Sequence, residues 1–192
     1  MTCAGCGELG AGEIAQTGYG ERLSAAWGRC QRFDLSGEID IGRCPDCGAL
    51  YEWTDHPQFY GSGNLDQEHL RRLEEPEASL VRALLPGAPA LADPAAWIAA
   101  ALTAVPPMLI KVLLMELAYR ADARLAPMLP ALLDMQYRPH PAFNTDVLST
   151  YAGSSHRRTR PLLALIEADP RPRPYAVQWL LERCRKTLAA PE

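Results

Sequence analysis

A mixed, mainly α fold is predicted for this chain of 192 residues: a small N-terminal β module clamped by cysteines, followed by a short solenoid of αα-hairpins. Three observations carry the prediction. Two Cys-x-x-Cys-Gly motifs, CAGCG at 3–7 and CPDCG at 44–48, flank a segment with strand-like alternation. Beyond Asp93, prolines and apolar residues recur every 33 or 34 residues. Charge is divided as well: residues 1–75 hold 6 Arg against 13 Asp and Glu, a net −7, whereas residues 76–192 hold 13 Lys and Arg against 10 Asp and Glu, a net +3. Two modules of different character explain the split.

The longest stretch without a charged residue is 94–110, and Pro106-Pro107 interrupts it. A membrane span needs about 20 consecutive apolar residues, so this stretch reads as core helices and a turn, with no membrane partner. The opening Met-Thr-Cys-Ala-Gly-Cys shows no basic stretch followed by an apolar core, so a cytoplasmic, reducing location is the expectation. In that compartment paired cysteines act as metal ligands or reactive thiols more often than as disulfides.

Four of the six cysteines, Cys3, Cys6, Cys44 and Cys47, form the two motifs. Cysteines three apart reach one ion from a tight turn, and a glycine after the second suits a left-handed backbone there. Two such knuckles supply the four thiolates of a tetrahedral site, with zinc as the expected occupant and a closed, structural role. Between them, RCQRFDL and EIDIGRC read as two short strands around Ser36-Gly37, and ALYEW as a third. Knuckle, hairpin, knuckle, strand resembles a zinc ribbon over residues 1 to about 55. The 37-residue spacer between Cys6 and Cys44 implies a loop, placed at Ala11–Gly20.

A redox pair at Cys44 and Cys47 wants a following helix, and Gly48 with a strand-like run follows instead. Cys30 has no partner at ligand spacing and reads as a buried thiol. His56, near the ribbon, reads as a surface histidine, and a ligand role for either stays open. GCGELG at 5–10 matches a dinucleotide fingerprint, yet only four residues precede it and no strand can feed it. Four thiolates on Zn²⁺ add about −2 to an acidic module, which disfavours phosphate backbones there.

The turn signals of TDHPQFYGSGNLD predict a loop over 54–65. LDQEHLRRL then reads as a helix capped by Asn64 or Asp66, and EASLVRALL as another, ending at Pro86-Gly87. The expected divisions are 1–60 for the ribbon, 61–92 for a linker with packing helices, and 93–192 for helical repeats at about 93–121, 122–153 and 154–190. Pro94, Pro127 and Pro161 mark the first helices, and Pro107, Pro141 and Pro174 the second. Leu113, Val147 and Leu180 share one position, Leu114, Leu148 and Leu181 the next, and Leu117, Tyr151 and Cys184 a third. The pattern resembles HEAT-like repeats, and that resemblance implies a solenoid with a binding face rather than a deep pocket.

No catalytic constellation occurs in the helical half. GSSH at 153–156 sits at a repeat junction, where caps are expected. HRRTR and RPRP place Arg157, Arg158, Arg160, Arg171 and Arg173 at opposite ends of one helix, a candidate binding surface beside the plain reading of a solvated face. The leading expectation is therefore a non-enzymatic protein-binding, adaptor or regulatory protein with one structural Zn²⁺ and a protein partner of acidic character. Nucleic-acid association through the Arg-rich repeats ranks second, and thiol-disulfide chemistry at Cys44 and Cys47 third.

Overall fold

The computed structural model describes residues 3–16, 21–35, 39–60, 63–138, 146–153 and 155–191. They form two compact units, Met1–Pro86 and Gly87–Glu192.

The first unit is built on one antiparallel sheet. Its strands are β1 (Gly12–Gln16), β2 (Gln31–Asp34), β3 (Ile39–Arg43), β4 (Leu50–Tyr60) and β5 (Gly63–Arg72), in the order β1-β5-β4-β3-β2. The expected β2–β3 hairpin is present, with Phe33 opposite Ile41, and β4 leaves the second knuckle as the third strand. The Ser36-Gly37 turn lies outside the described residues.

Two expectations are corrected. Residues 63–72, read as a loop end and a capped helix, form β5, which pairs with β4 from Tyr51↔Arg72 to Tyr60↔Gly63 and with β1 from Gly12↔Arg71 to Gln16↔Gln67. The residues 54–60, read as loop, continue β4. Gln, Glu, Leu and Arg favour helix intrinsically, but a strand paired on both sides satisfies its backbone groups across the ladder, and such tertiary pairing overrides propensity. Likewise part of the Ala11–Gly20 loop is the edge strand β1, while 17–20 lie outside the described residues. Among the described residues of 61–92, only Glu77–Arg82 is an α-helix, α3.

Alternation assigns the sheet two faces. Gly42, Tyr51 and Leu70 share one face with α1 (Ala4–Leu9) and α2 (Ala25–Arg29), and Cys6, Leu9, Trp27, Cys30, Cys44, Tyr51 and Leu70 form a single buried cluster. Gly42 is required there: a Cβ would stand 2.1 Å from Trp27 Cζ3. On the opposite face Arg71 donates from Nε to Glu52 at 2.9 Å and from Nη1 to Glu77 of α3 at 2.7 Å, tying helix to sheet.

The second unit holds α4 (Pro94–Ala104), α5 (Pro107–Tyr119), a 3₁₀ helix (Ala123–Met128) running into α6 (Leu129–Tyr137), α7 (Asp146–Gly153), α8 (His156–Ala168) and α9 (Tyr175–Ala189). Asp93 and Asp122 cap their helices, each accepting a backbone N–H at 2.9 Å, from Ala96 and Arg124 respectively. Ser155 holds the N-cap position of α8 without a side-chain cap bond. Pro94 and Pro107 open α4 and α5, and Pro174 stands one residue before α9. Pro141 and Ser154 lie outside the described residues.

All nine residues of the three recurring positions are buried, from Leu114, Leu180 and Cys184 at 0% exposure to Tyr151 at 5%. Helices α5, α7 and α9 touch in succession, as do α4, α6 and α8. Nearly every side of α5 is apolar, and Leu109, Ile110, Leu113, Leu114, Leu117 and Ala118 are buried along it. No helix among the described residues is long and apolar enough to cross a membrane.

Candidate metal centre

Each knuckle is folded by its own short-range bonds. In the first, Gly7 donates its backbone N–H to Cys3 O at 2.9 Å; in the second, Gly48 donates to Cys44 O at 3.0 Å. The same five-residue turn thus closes both. Their glycines differ, however. Gly48 takes φ +74°, the left-handed conformation expected of it, whereas Gly7 continues α1 and the left-handed residue there is Gly10, at φ +62°. Cys3 caps α1, its Sγ accepting the Cys6 N–H at 3.4 Å, and this gives one of the N–H···S bonds that steady a metal-bound thiolate.

The knuckles, 41 residues apart in sequence, meet face to face. Cys3 Sγ lies 3.6 Å from Cys44 Sγ, Cys6 Sγ lies 3.3 Å from Cys47 Sγ, and all four sulfurs fall within 4.8 Å of one another. A tetrahedral Zn²⁺ with Zn–S near 2.3 Å puts its sulfurs about 3.8 Å apart. The donor set therefore fits one thiophilic ion with every position filled by protein. Gly5 makes room for this approach, since a Cβ on it would meet Asp46 Oδ2 at 3.0 Å and Cys44 Sγ at 3.8 Å.

Burial is uneven across the site. Cys6 and Cys44 are buried at 1% and 3% exposure, Cys3 is half-buried, and Cys47 is exposed. Desolvation pushes the Cys6 thiol up to about 12, against a smaller downward pull from the Tyr51 hydroxyl. Desolvation also raises Tyr51 and Cys30. A bound divalent cation reverses this preference, because coordination deprotonates a thiol outright. Nearby charges are mixed: Asp46 Oδ2 stands 4.0 Å from Cys3 Sγ, and Arg29 pairs with Glu8 at 2.7 Å.

Cys30 is not mid-strand. It ends α2, just before β2, where its thiol reaches Ala26 O at 3.7 Å, and it is buried outside the four-sulfur group. His56 belongs to β4, with its Cα opposite Gln67, and its side chain lies outside the described set.

The five candidate surface arginines separate. Arg171 is held by Asp169 Oδ2 at 2.7 Å and Asp134 Oδ1 at 2.5 Å, and sits 3.8 Å from the Tyr137 ring centroid. Arg173 donates to Ile166 O at 3.2 Å, near the end of α8. At the other end of that helix, Arg158 donates to Ala118 O at 3.4 Å and lies over Tyr151, while Arg157 and Arg160 are exposed. A cavity of about 670 Å³, lined by Ser155, His156, Arg183, Lys186 and Thr187 among others, had no counterpart in the sequence reading. His156 Nε2 there is 2.8 Å from Thr187 O and must carry the proton, since a carbonyl only accepts.

Tyr51 was also missed. Its alternation with Trp53 was visible, but not that this face of β4 meets the cysteines. No family model, curated protein or solved structure matches the chain. What fold and site define is a two-unit protein with a four-cysteine group able to hold a metal ion.

Proposed function

We propose that this is a non-enzymatic binding protein, an adaptor or regulator, whose N-terminal unit is a zinc ribbon stapled by one structural Zn²⁺ on Cys3, Cys6, Cys44 and Cys47. The convergence of four sulfurs within 4.8 Å from two distant knuckles carries the metal part of the reading. With four thiolates in place no position is left for water or substrate, and that is the signature of a structural rather than a catalytic zinc. The ion would supply folding free energy to the cluster beneath α1 and α2.

The C-terminal unit is proposed to be a short HEAT-like solenoid. The succession of α5, α7 and α9 in one layer and of α4, α6 and α8 in another supports this, with one nearest-neighbour contact following the next. A protein partner would meet the exposed start of α8, where Arg157 and Arg160 stand. Exposed Arg157 and Arg160 favour an acidic partner.

Affinity capture on the purified full chain, followed by a binding isotherm with each captured protein, tests the adaptor role. A partner whose binding weakens in Arg157→Glu with Arg160→Glu supports it, and retention of nothing but nucleic acid sinks it. Titration against duplex and single-stranded nucleic acid at low salt addresses the second reading, whose affinity would be mainly electrostatic. Insulin reduction lost in Cys44→Ser would instead mark a thiol-disulfide enzyme.

A further inference from the structure

We infer that Tyr51 is a positioning residue of the metal site, its hydroxyl donating a hydrogen bond to the metal-bound sulfur of Cys6. The inference rests on the four-cysteine metal reading and specifies what holds that site from behind. Tyr51 is 0% exposed, and its hydroxyl oxygen is a buried polar atom with no hydrogen-bond partner among the described residues. A buried hydroxyl left so is costly, and folded proteins seldom tolerate it without a reason.

The surroundings narrow the choice of acceptor. Its buried apolar cluster holds the thiols of Cys6, Cys30 and Cys44 as groups able to accept, whereas the Trp27 N–H is a donor. Arg72, opposite Tyr51 in the β4–β5 ladder, is also a donor only. Of these thiols Cys6 is the most deeply buried, at 1% exposure, and it belongs to the four-sulfur group, so burial favours its sulfur as the acceptor. A neutral thiol is a weak acceptor, so the hydroxyl stays unsatisfied beside it. A thiolate held by a cation is a charged acceptor, and a hydrogen bond to it is roughly twice as strong as a neutral one. A bound metal would thus satisfy an atom that the described residues leave without a partner. The bond also fixes the direction from which Cys6, the most buried ligand, meets the ion.

Tyr51→Phe removes the hydroxyl and keeps the ring. Zn²⁺ and Co²⁺ affinities of the full-length wild type and Y51F are measured by competition with a chromophoric chelator, together with urea unfolding of both metal-free proteins. Expected is a drop in affinity of about 10–100-fold, as for loss of other groups that orient metal ligands. The sulfur-to-Co²⁺ charge-transfer band should move to longer wavelength, because an unbonded thiolate gives up its electron more easily. Metal-free Y51F should be as stable as metal-free wild type or more so. Unchanged affinity and spectrum in Y51F, with a wild type that binds metal, would overturn the Tyr51 role alone. Loss of affinity matched by equal loss of metal-free stability would also overturn it, in favour of plain packing. A wild type that takes up neither metal would remove both this role and the metal reading.

Discussion

Gly42→Ala tests whether the cysteine face of the sheet is packed as described. The added methyl would stand 2.1 Å from Trp27 Cζ3, 2.6 Å from its Cη2 and 3.1 Å from Cys30 Cβ. Carbon atoms rest about 3.5–4 Å apart, so the indole must withdraw by roughly 1.5 Å or more. Trp27 is only 4% exposed and packs among Cys6, Cys30, Cys44 and Tyr51; the space it could withdraw into is a cavity of about 520 Å³ that it lines with Arg32 and Trp53, so moving there would give up its buried contacts. Overpacking of this kind costs about 1–3 kcal/mol. Complete expulsion of the indole sets an upper limit: about 150–250 Å² at about 25 cal/mol per Å² is about 4–6 kcal/mol. A loss near 3 kcal/mol is expected. Urea unfolding followed by near-ultraviolet circular dichroism and thiol accessibility reads it. Gly28→Ala is the internal control, for Gly28 lies in α2 with nothing within 4 Å of its Cβ position, and alanine there should be neutral or mildly stabilising. Equal stability of the Gly42 and Gly28 variants would refute the packing argument.

Three further outcomes are expected. Arg71→Met leaves Glu52 and Glu77, with side chains only 10% and 11% exposed, without their cation; breaking a buried pair costs about 3–5 kcal/mol, and Arg71's 42% exposure discounts this to about 2–3. Replacing both glutamates by glutamine in that background should recover part of the loss in a urea midpoint. Desolvation raises the Cys184 thiol to about 11 from an unfolded value near 9, so the stability it contributes is complete below pH 9 and disappears as pH climbs toward 11; unfolding midpoints from pH 8 to 11 should fall less steeply in Cys184→Ala. Asp93→Ala removes the cap on Ala96 N and should cost about 1 kcal/mol in a thermal melt.

What could be read in the chain divides by range. The cysteine clamp was legible because ligand chemistry restricts spacing so tightly that two short motifs reveal one another. The helical core positions were legible for a related reason: three copies of one pattern aligned Leu113 with Val147 and Leu180, and all are buried. β5 was not legible. Leu70 and Leu73 stand three apart, as on a helix face, and only pairing with Gly12–Gln16, some sixty residues away, makes the segment a central strand. β1 itself gave little signal, with Ile14 66% exposed and Ala15 the buried residue. The arginine clusters have partners that the sequence does not display, for the same reason. Arg171 looks free in RPRP, yet its partners include Asp134, thirty-seven residues earlier. Tyr51 was hidden too, since strand alternation groups side chains by face without saying what covers it.

Cys3, Cys6, Cys44 and Cys47 are proposed to hold one zinc ion. Native mass spectrometry of the full chain, purified without chelator and paired with elemental analysis, tests it most directly. One Zn per chain is expected, lost in Cys44→Ser while the circular dichroism of the helical unit persists. A wild-type native mass equal to that of the metal-free chain would contradict it.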